Sequence, residues 1–468
     1  MVKFGTGGFR GVIGDDFNRD NVKLVAQGLC DIIKAHEYLP RVVVGYDYRF
    51  GSDYFAGWIA ETLAANDITC LLYNEPMPSP AVMTAVRDEK LDFGFMITAS
   101  HNPYYFNGVK LFIKGGMDAD VATTNALERA INSADTPLHI TLDEGKAKGL
   151  IVDYNNKKQY LENIKSFLSP KLFGSKIKIL YDNLNGVGAR CIEPMFQMAG
   201  IENFKIMNVQ HDAFFNFSPP NPTEAAMEPL KSHVVQYGFD FAMATDSDSD
   251  RLGIIDEKGN YVSSNFILAC LYYYLLKYRG MKGDIVKNCA TTTLVDMIAA
   301  RAGYKCHEVD VGFKNISSKI REVDALIGGE SSGGLTVRGY IFGKDSVFSS
   351  LLFTEMVALM GKPVSEIVKE VCDYAGYNGV CIEDEMRFAD GVIRIPDGMP
   401  EFSLDIVRIE EYNNNIKYHF GNGQWALIRK SGTEPVVRLF VECNSATAAR
   451  VNSRKLREFL TSGKGKNK

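Results

Sequence analysis

The sequence predicts an α/β protein: three similar mixed α/β domains plus a smaller α+β C-terminal domain around a central cleft. Three observations carry that expectation. Short β-branched or aromatic runs alternate with amphipathic stretches of ten or more residues, as in α/β units built on mainly parallel sheets. One strand type recurs, first as RVVVGYD at 41–47, then as KIKILYD at 176–182, and more weakly as DIVKN at 284–288. Each copy is followed, further along, by an apolar strand that ends in an unusual polar loop: DFGFMI into TASHNP, DFAMA into TDSDSDR, and DALI into GGESSGG.

One unit used three times would thus deliver three different loops. Parallel strands put their C-terminal ends on one sheet edge, where α/β proteins bind ligands. If the three sheets face a common cleft, the three loops meet there. Beyond residue 375 the pattern becomes a smaller α+β one, with strands at 426–428 and 436–441 flanking RKSGTEP. The domains are placed at 1–150, 151–256, 257–375 and 376–468, and the tail 461–468 is expected to fray.

Composition narrows the function classes. At 468 residues, and about 100–200 residues per domain, the chain should hold three or four. With 46% hydrophobic and 23% charged residues it sits near the average of globular proteins. A net charge of -5 argues against nucleic acid as the main partner, since phosphate backbones demand a concentrated basic face. No stretch approaches about 18 uninterrupted apolar residues, and the first residues run into glycines rather than an apolar leader core. No membrane partner and a cytoplasmic location are expected. The nine cysteines are scattered and never in C-x-x-C spacing, which suits free thiols.

Each loop suggests chemistry. Asp246, Asp248 and Asp250 alternate with small residues, so a curled chain aims three carboxylates at one hard divalent cation. An EF-hand matches only in part, because Arg251 stands where that loop requires glycine and the following LGII reads as a strand. A solvated acidic turn is the plainer alternative. In GGESSGG, Glu330 and Ser332 offer a carboxylate and a hydroxyl suited to sugar hydroxyls, although a glycine-rich loop is as often only a turn. RKSGTEP, with Arg438 beyond it, supplies guanidinium forks, hydroxyls and backbone N–H groups, the ingredients of a phosphate nest or of a charged surface turn. In TASHNP, Ser100 is a nucleophile or a turn residue. Neighbouring side chains on extended backbone diverge, so His101 is poorly placed as its base in a hydrolase triad.

Taken together and in order, FGTGGFRG, TASHNP, DSDSDR, VGFKNI, GGESSGG and RKSGTEP resemble the α-D-phosphohexomutase family of phosphoglucomutases and phosphomannomutases. The likeness spans nearly the whole chain. It implies four domains around a central cleft, a phosphorylated serine, one Mg2+ and interconversion of hexose 1-phosphate and hexose 6-phosphate through a hexose 1,6-bisphosphate, which also serves as activator. Carried over, Ser100 would be the phosphoserine, and Asp246, Asp248 and Asp250 would hold the metal together with a Ser100 phosphate oxygen. Glu330 and Ser332 would grip sugar hydroxyls. Lys314 would also face substrate, while Arg429, Ser431, Gly432, Thr433 and Arg438 would hold the non-reacting phosphate. Arg10, His101, Lys110 and Arg251 would serve the transferring phosphate, with Lys110 or His101 as proton-transfer candidates.

The departures are serines between the aspartates, Lys430 where proline is frequent, and Gly333-Gly334 where Gly-His is common. The last, with Phe313-Lys314, resembles phosphoglucomutase-type members, so glucose is the first expectation and mannose or glucosamine the alternatives. The partner implied is a small sugar phosphate, and the assembly a monomer or homodimer. A sugar-phosphate phosphatase using Asp246 as nucleophile, or a silent sensor, are the rival classes.

Overall fold

The computed structural model describes residues 2–4, 8–134, 136–388, 392–413, 415–430 and 436–462. Three successive sheets share one four-strand unit. In the first, Arg41–Tyr46 lies between parallel neighbours Thr69–Tyr73 and Phe93–Ile97, and Phe93–Ile97 is followed by its antiparallel partner Phe106–Ile113. In the second, Ile179–Asp182 lies between Phe204–Met207 and Phe241–Thr245, with Leu252–Ile255 antiparallel to the latter. In the third, Ile285–Asn288 lies between Cys306–Val309 and Ile327–Gly329, with Leu335–Val337 antiparallel beyond. The recurring strand is the inner strand of each unit, and each polar loop is the connection of the antiparallel hairpin beside it.

The reason is local. Phe93–Ile97 and Phe241–Thr245 are buried at every position, as befits inner strands covered by helices on both faces. The chain cannot stay apolar past the sheet edge, so it turns there, and the polar residues fall in the turns. Phe9–Val12 extends the first sheet by pairing with Phe106–Ile113 and carries Arg10 to the same edge. Helix Ser346–Met360 is apolar nearly all round because it is buried between units. Among the described residues no single helix is long and apolar enough to cross a membrane.

The C-terminal sheet is antiparallel, in the order Val380–Arg387, Val436–Cys443, Trp425–Lys430, Asn415–Phe420, Ile406–Tyr412, and is backed by helix Ala446–Ser462. Its core of Met386, Phe388, Ile428, Leu439 and Leu456 is its own. A smaller cluster of Cys289, Ala290, Trp425, Leu427 and Phe440 joins it to the third sheet. Three α/β units and a smaller α+β unit are the predicted fold class. The tail expected to fray at 461–468 is still helical at Thr461 and Ser462, because helix Ala446–Ser462 runs on through them; 463–468 lie outside the described residues.

Candidate active site

Ser100 sits just past the buried strand Phe93–Ile97 with a φ of +52°, in the left-handed region that a serine seldom adopts. Three neighbours hold it there. Its N–H donates to Thr98 Oγ1 at 2.9 Å, and Thr98 Oγ1 donates to Asp47 Oδ2 at 2.6 Å. The Ser100 carbonyl accepts from Ser247 Oγ at 2.7 Å and from Arg49. With the backbone so turned, Ser100 Oγ donates to Asp246 Oδ2 at 2.8 Å, across 146 residues of sequence. The serine loop and the acidic loop therefore form one site.

Asp246, Asp248 and Asp250 are fully buried or nearly so, and one oxygen from each lies within 4.8 Å of the others. Ser249, between the last two, has a φ of +57° and lets the loop curl. Asp246 Oδ1 is taken by the N–H groups of Asp250 at 2.9 Å and Arg251 at 3.0 Å. Asp248 Oδ2 accepts from the hydroxyl of Ser79 and from Lys110 Nζ at 2.5 Å. Asp248 Oδ1 and Asp250 Oδ1 are buried without a hydrogen-bond partner. Such orphaned acceptors among three carboxylates are the donor set of a hard divalent cation. Burial first, and then Asp250 and Asp248, push the Asp246 carboxyl up. Burial would raise Asp250 too, but Lys110, Lys344 and Arg251 outweigh it and hold it well down.

Cations surround the triad. Lys110 Nζ lies 2.7 Å from Asp250 Oδ2 as well, and although burial disfavours its charge, Asp248 and Asp250 keep it an ammonium. Lys344 Nζ lies 2.9 Å from the same Asp250 oxygen. Arg10 Nη1 donates to Asn102 Oδ1 at 2.5 Å. Arg251 Nε lies 3.8 Å from Asp250 Oδ1. Burial, then Arg251 and Arg10, hold the His101 ring well below its ordinary value, so it stays neutral, and its Nδ1 is buried without a partner.

The glycine-rich loop adjoins this cluster through the N–H of Leu252, which donates to the Gly333 carbonyl at 3.3 Å directly after the acidic loop. Gly333 has a φ of +99°, and a Cβ there would lie 3.0 Å from the Leu252 carbonyl oxygen, so glycine is required. Glu330 accepts from Ser332 Oγ at 2.6 Å and from Asn288 Nδ2 at 3.4 Å. Gly334 is constrained by packing alone, since a Cβ there would fall 2.2 Å from Lys344 Cδ and the lysine stem would have to shift. The lysine stem fills the space a larger residue 334 would occupy.

Arg429 and Arg438 are cross-strand neighbours on the C-terminal sheet. Burial, then Arg438, lower the Arg429 guanidinium. Lys314 is half-buried, its ammonium disfavoured by that burial and favoured by Asp118 and Asp120 of the first unit. Ser100, His101, Lys110, Arg10, Arg251 and the three aspartates thus converge, with Glu330 and Ser332 alongside, and Lys314 adjoins them through Asp118, which itself faces Lys344, Lys110, Asp250 and Glu330. Ser431, Gly432 and Thr433 lie outside the described residues.

Comparison with known proteins matches all four parts of the chain to one family: Phosphoglucomutase/phosphomannomutase, alpha/beta/alpha domains I at 1–137, II at 158–259 and III at 263–374, and the C-terminal domain at 394–455. The chain belongs to the phosphoglucomutase/phosphomannomutase family. Members of this family are enzymes, isomerases by class. A phosphoglucomutase/phosphomannomutase of Thermococcus kodakarensis is 27% identical over 458 residues, covering 96% of each chain. A phosphoglucosamine mutase of Nautilia profundicola is 28% identical over 99% of each. The crystal structure of a candidate phosphomannomutase from Thermus thermophilus superposes with a TM-score of 0.86 at 27% identity, covering 98% of this chain and 99% of that one.

In this family member, four residues support the site that sequence reasoning passed over. Asp47 accepts from the hydroxyls of Ser52, Thr98 and Ser247. Arg49, its side chain wholly buried, donates to the carbonyls of Ser100, Asn102, Pro103 and Phe106. Ser79 and Lys344 reach the acidic loop from the first and third units. Asp47 and Arg49 follow the first recurring strand at the edge where the loops emerge, which was a usable signal; Ser79 and Lys344 carried none.

Proposed function

We propose that this chain is a phosphohexomutase that interconverts hexose 1-phosphate and hexose 6-phosphate, glucose first, through a phosphoserine at Ser100. The single observation that carries this reading is the 2.8 Å bond from Ser100 Oγ to Asp246 in a buried three-carboxylate loop. The carboxylate that accepts from this hydroxyl belongs to the three-aspartate loop, so a phosphate on Ser100 would lie against a cation site, which is what phosphoryl transfer needs. Asp246, Asp248 and Asp250 would hold Mg2+, which when bound supplies charge neutralisation to the transferring group.

The residues of the chain supply the rest. Phospho-Ser100 gives its phosphoryl group to the free hydroxyl of a hexose monophosphate, whose proton leaves as the new P–O bond forms and the Ser100 Oγ–P bond breaks. His101, neutral and with a free ring nitrogen, can take that proton; Lys110, an ammonium clamped by two aspartates, neutralises charge. Arg10 and Arg251 face the same group. Glu330 and Ser332 hold sugar hydroxyls, and Arg429 and Arg438 the phosphate that does not react. The hexose 1,6-bisphosphate turns over in the cleft and returns its other phosphate to Ser100. Burial of Ser100, at 1% exposure, keeps water from the phosphoserine.

A phosphatase with Asp246 as nucleophile is disfavoured, since it leaves no role for the Ser100 hydroxyl bonded to Asp246 or for the Glu330–Ser332 loop. Glucosamine 1-phosphate is the second substrate to assay, given the relative from Nautilia profundicola. The test is Ser100→Ala, assayed with glucose 1-phosphate and catalytic glucose 1,6-bisphosphate. Turnover should fall by at least about a thousandfold, and near-normal conversion would sink the proposal.

A further inference from the structure

The edge where the third unit meets the C-terminal sheet carries polar residues that the mechanism above leaves unused. Strand Cys306–Val309 brings Glu308, and just past it Asp310, against the hairpin formed by Ile406–Tyr412 and Asn415–Phe420. Asp310 Oδ1 accepts from the N–H of Val311 at 2.7 Å and from Asn415 Nδ2 at 2.5 Å, and its Oδ2 accepts from Asn413 Nδ2 at 3.2 Å. Because a carboxylate only accepts, the Asn415 amide must present its nitrogen to Asp310. Asn415 Oδ1 is left buried and without a partner.

The sheet register gives that oxygen a neighbour. Asn415 pairs with Arg429 on the adjacent antiparallel strand, Arg429 pairs with Arg438, and Arg438 pairs with Glu385. Directly paired residues share a face of the sheet, so the row Asn415, Arg429, Arg438 lies on one surface. A guanidinium has five N–H donors and grips a phosphate with two of them. A buried free acceptor one strand away suits one of the remainder.

We propose that Asn415 is a positioning residue for Arg429, fixing its guanidinium fork when an anionic group binds, and that Asp310 holds Asn415 in place to do so. This rests on the reading of Arg429 as a ligand of the non-reacting phosphate. Asp310 also opens the turn that carries Lys314: Asn315 Nδ2 donates to the carbonyls of Asp310 at 3.2 Å and Val311 at 3.1 Å. One residue therefore places both Asn415, beside Arg429, and the Lys314 turn.

The test is a double-mutant cycle in the full chain with glucose 1-phosphate. Asn415→Ala should raise KM roughly tenfold, the scale of one hydrogen bond to a charged group, with kcat changed less than about threefold. In an Arg429→Ala background it should change nothing further. Unchanged KM in the single variant, a fully additive loss in the double variant, or a lowered melting temperature with normal KM would each overturn the proposal. Asp310→Ala, expected to raise KM in the same way, serves if Asn415→Ala does not fold. Were the wild-type chain to turn over no hexose phosphate at all, the mutase reading would fall separately. Calorimetric titration with inorganic phosphate would then decide this proposal: affinity weakened by Asn415→Ala but not further in the Arg429→Ala background supports it, and unaltered affinity overturns it.

Discussion

Two charged junctions tie the units of this molecule together, and they differ in what they leave unpaired. Where the third unit meets the C-terminal sheet, Glu308 accepts from Lys417 at 2.8 Å through each oxygen and from Tyr412 at 2.9 Å, and Lys287 lies 2.5 Å from Asp296 and 3.3 Å from Glu308. Lys287 and Lys417, each 1% exposed, both have carboxylate partners, although burial and then Lys287 disfavour the Lys417 ammonium. Where the first unit meets the second, Asp248 Oδ1, Asp250 Oδ1, Ser249 Oγ, His101 Nδ1, Arg10 Nε and Arg251 Nε are buried with no hydrogen-bond partner. Leaving a buried polar group unpaired costs about 1–3 kcal/mol, so six together mark a junction built for something that arrives later. The first junction is saturated in its charges, although the neutral Asn415 Oδ1 and Trp425 Nε1 lack hydrogen-bond partners there; the second is unsaturated at charged and titratable groups and is suited to receive a ligand.

The largest expected effect would break the unsaturated side. Asp248→Asn should weaken Mg2+ binding by at least about a hundredfold, beyond what supporting residues of a metal site cost, with the fold retained. Calorimetric titration with Mg2+ checks it, and undiminished affinity would remove the acidic loop from the metal site. Next is the saturated side. Burial would raise Glu308, but Lys287 and Lys417 outweigh it and bring it from 4.5 down to about 2.

A depressed carboxyl contributes stability that is present above its ordinary value and lost as pH falls through the folded one. Glu308→Gln should therefore cost on the order of 3 kcal/mol at pH 7, and progressively less between pH 4.5 and 2. Urea unfolding at pH 7 and pH 3 measures the gap, and a gap as wide at pH 3 would refute the pairing. The smallest effect falls on Ser79, whose hydroxyl serves the partnered oxygen of Asp248. Ser79→Ala should lower stability by about 1 kcal/mol, read from the melting temperature, while leaving Mg2+ affinity within about threefold.

The three-unit plan was legible because its signal is local. RVVVGYD and KIKILYD announce inner strands by their apolar runs, and the loops stand out by contrast with the strands before them. Asp246, Asp248 and Asp250 were legible for the same reason, since their spacing alone brings them together. Lys110 and His101 could be placed near the reaction but not told apart. Only the packed structure sets Lys110 between two aspartates and leaves His101 neutral beside two arginines. Arg49 binds carbonyls 51 to 57 residues away, and Ser79 reaches Asp248 across 169. The end of the first recurring strand puts Arg49 at the edge where the loops emerge but does not name its partners, and nothing near Ser79 announces one so distant. Asn415, a lone asparagine in a strand, gains its interest from Arg429 across the ladder, a register the sequence does not state.

The repetition of the hairpin has a practical side. Each polar loop leaves an equivalent strand in an equivalent direction, so the scaffold fixes where a loop starts and says nothing of what it contains. Swapping TASHNP with GGESSGG would keep both hairpins anchored, yet would carry the serine hydroxyl away from Asp246 and the Glu330 carboxylate away from Asn288. The chemistry of such a molecule is a property of seating order, in which three matching chairs are told apart only by who faces whom.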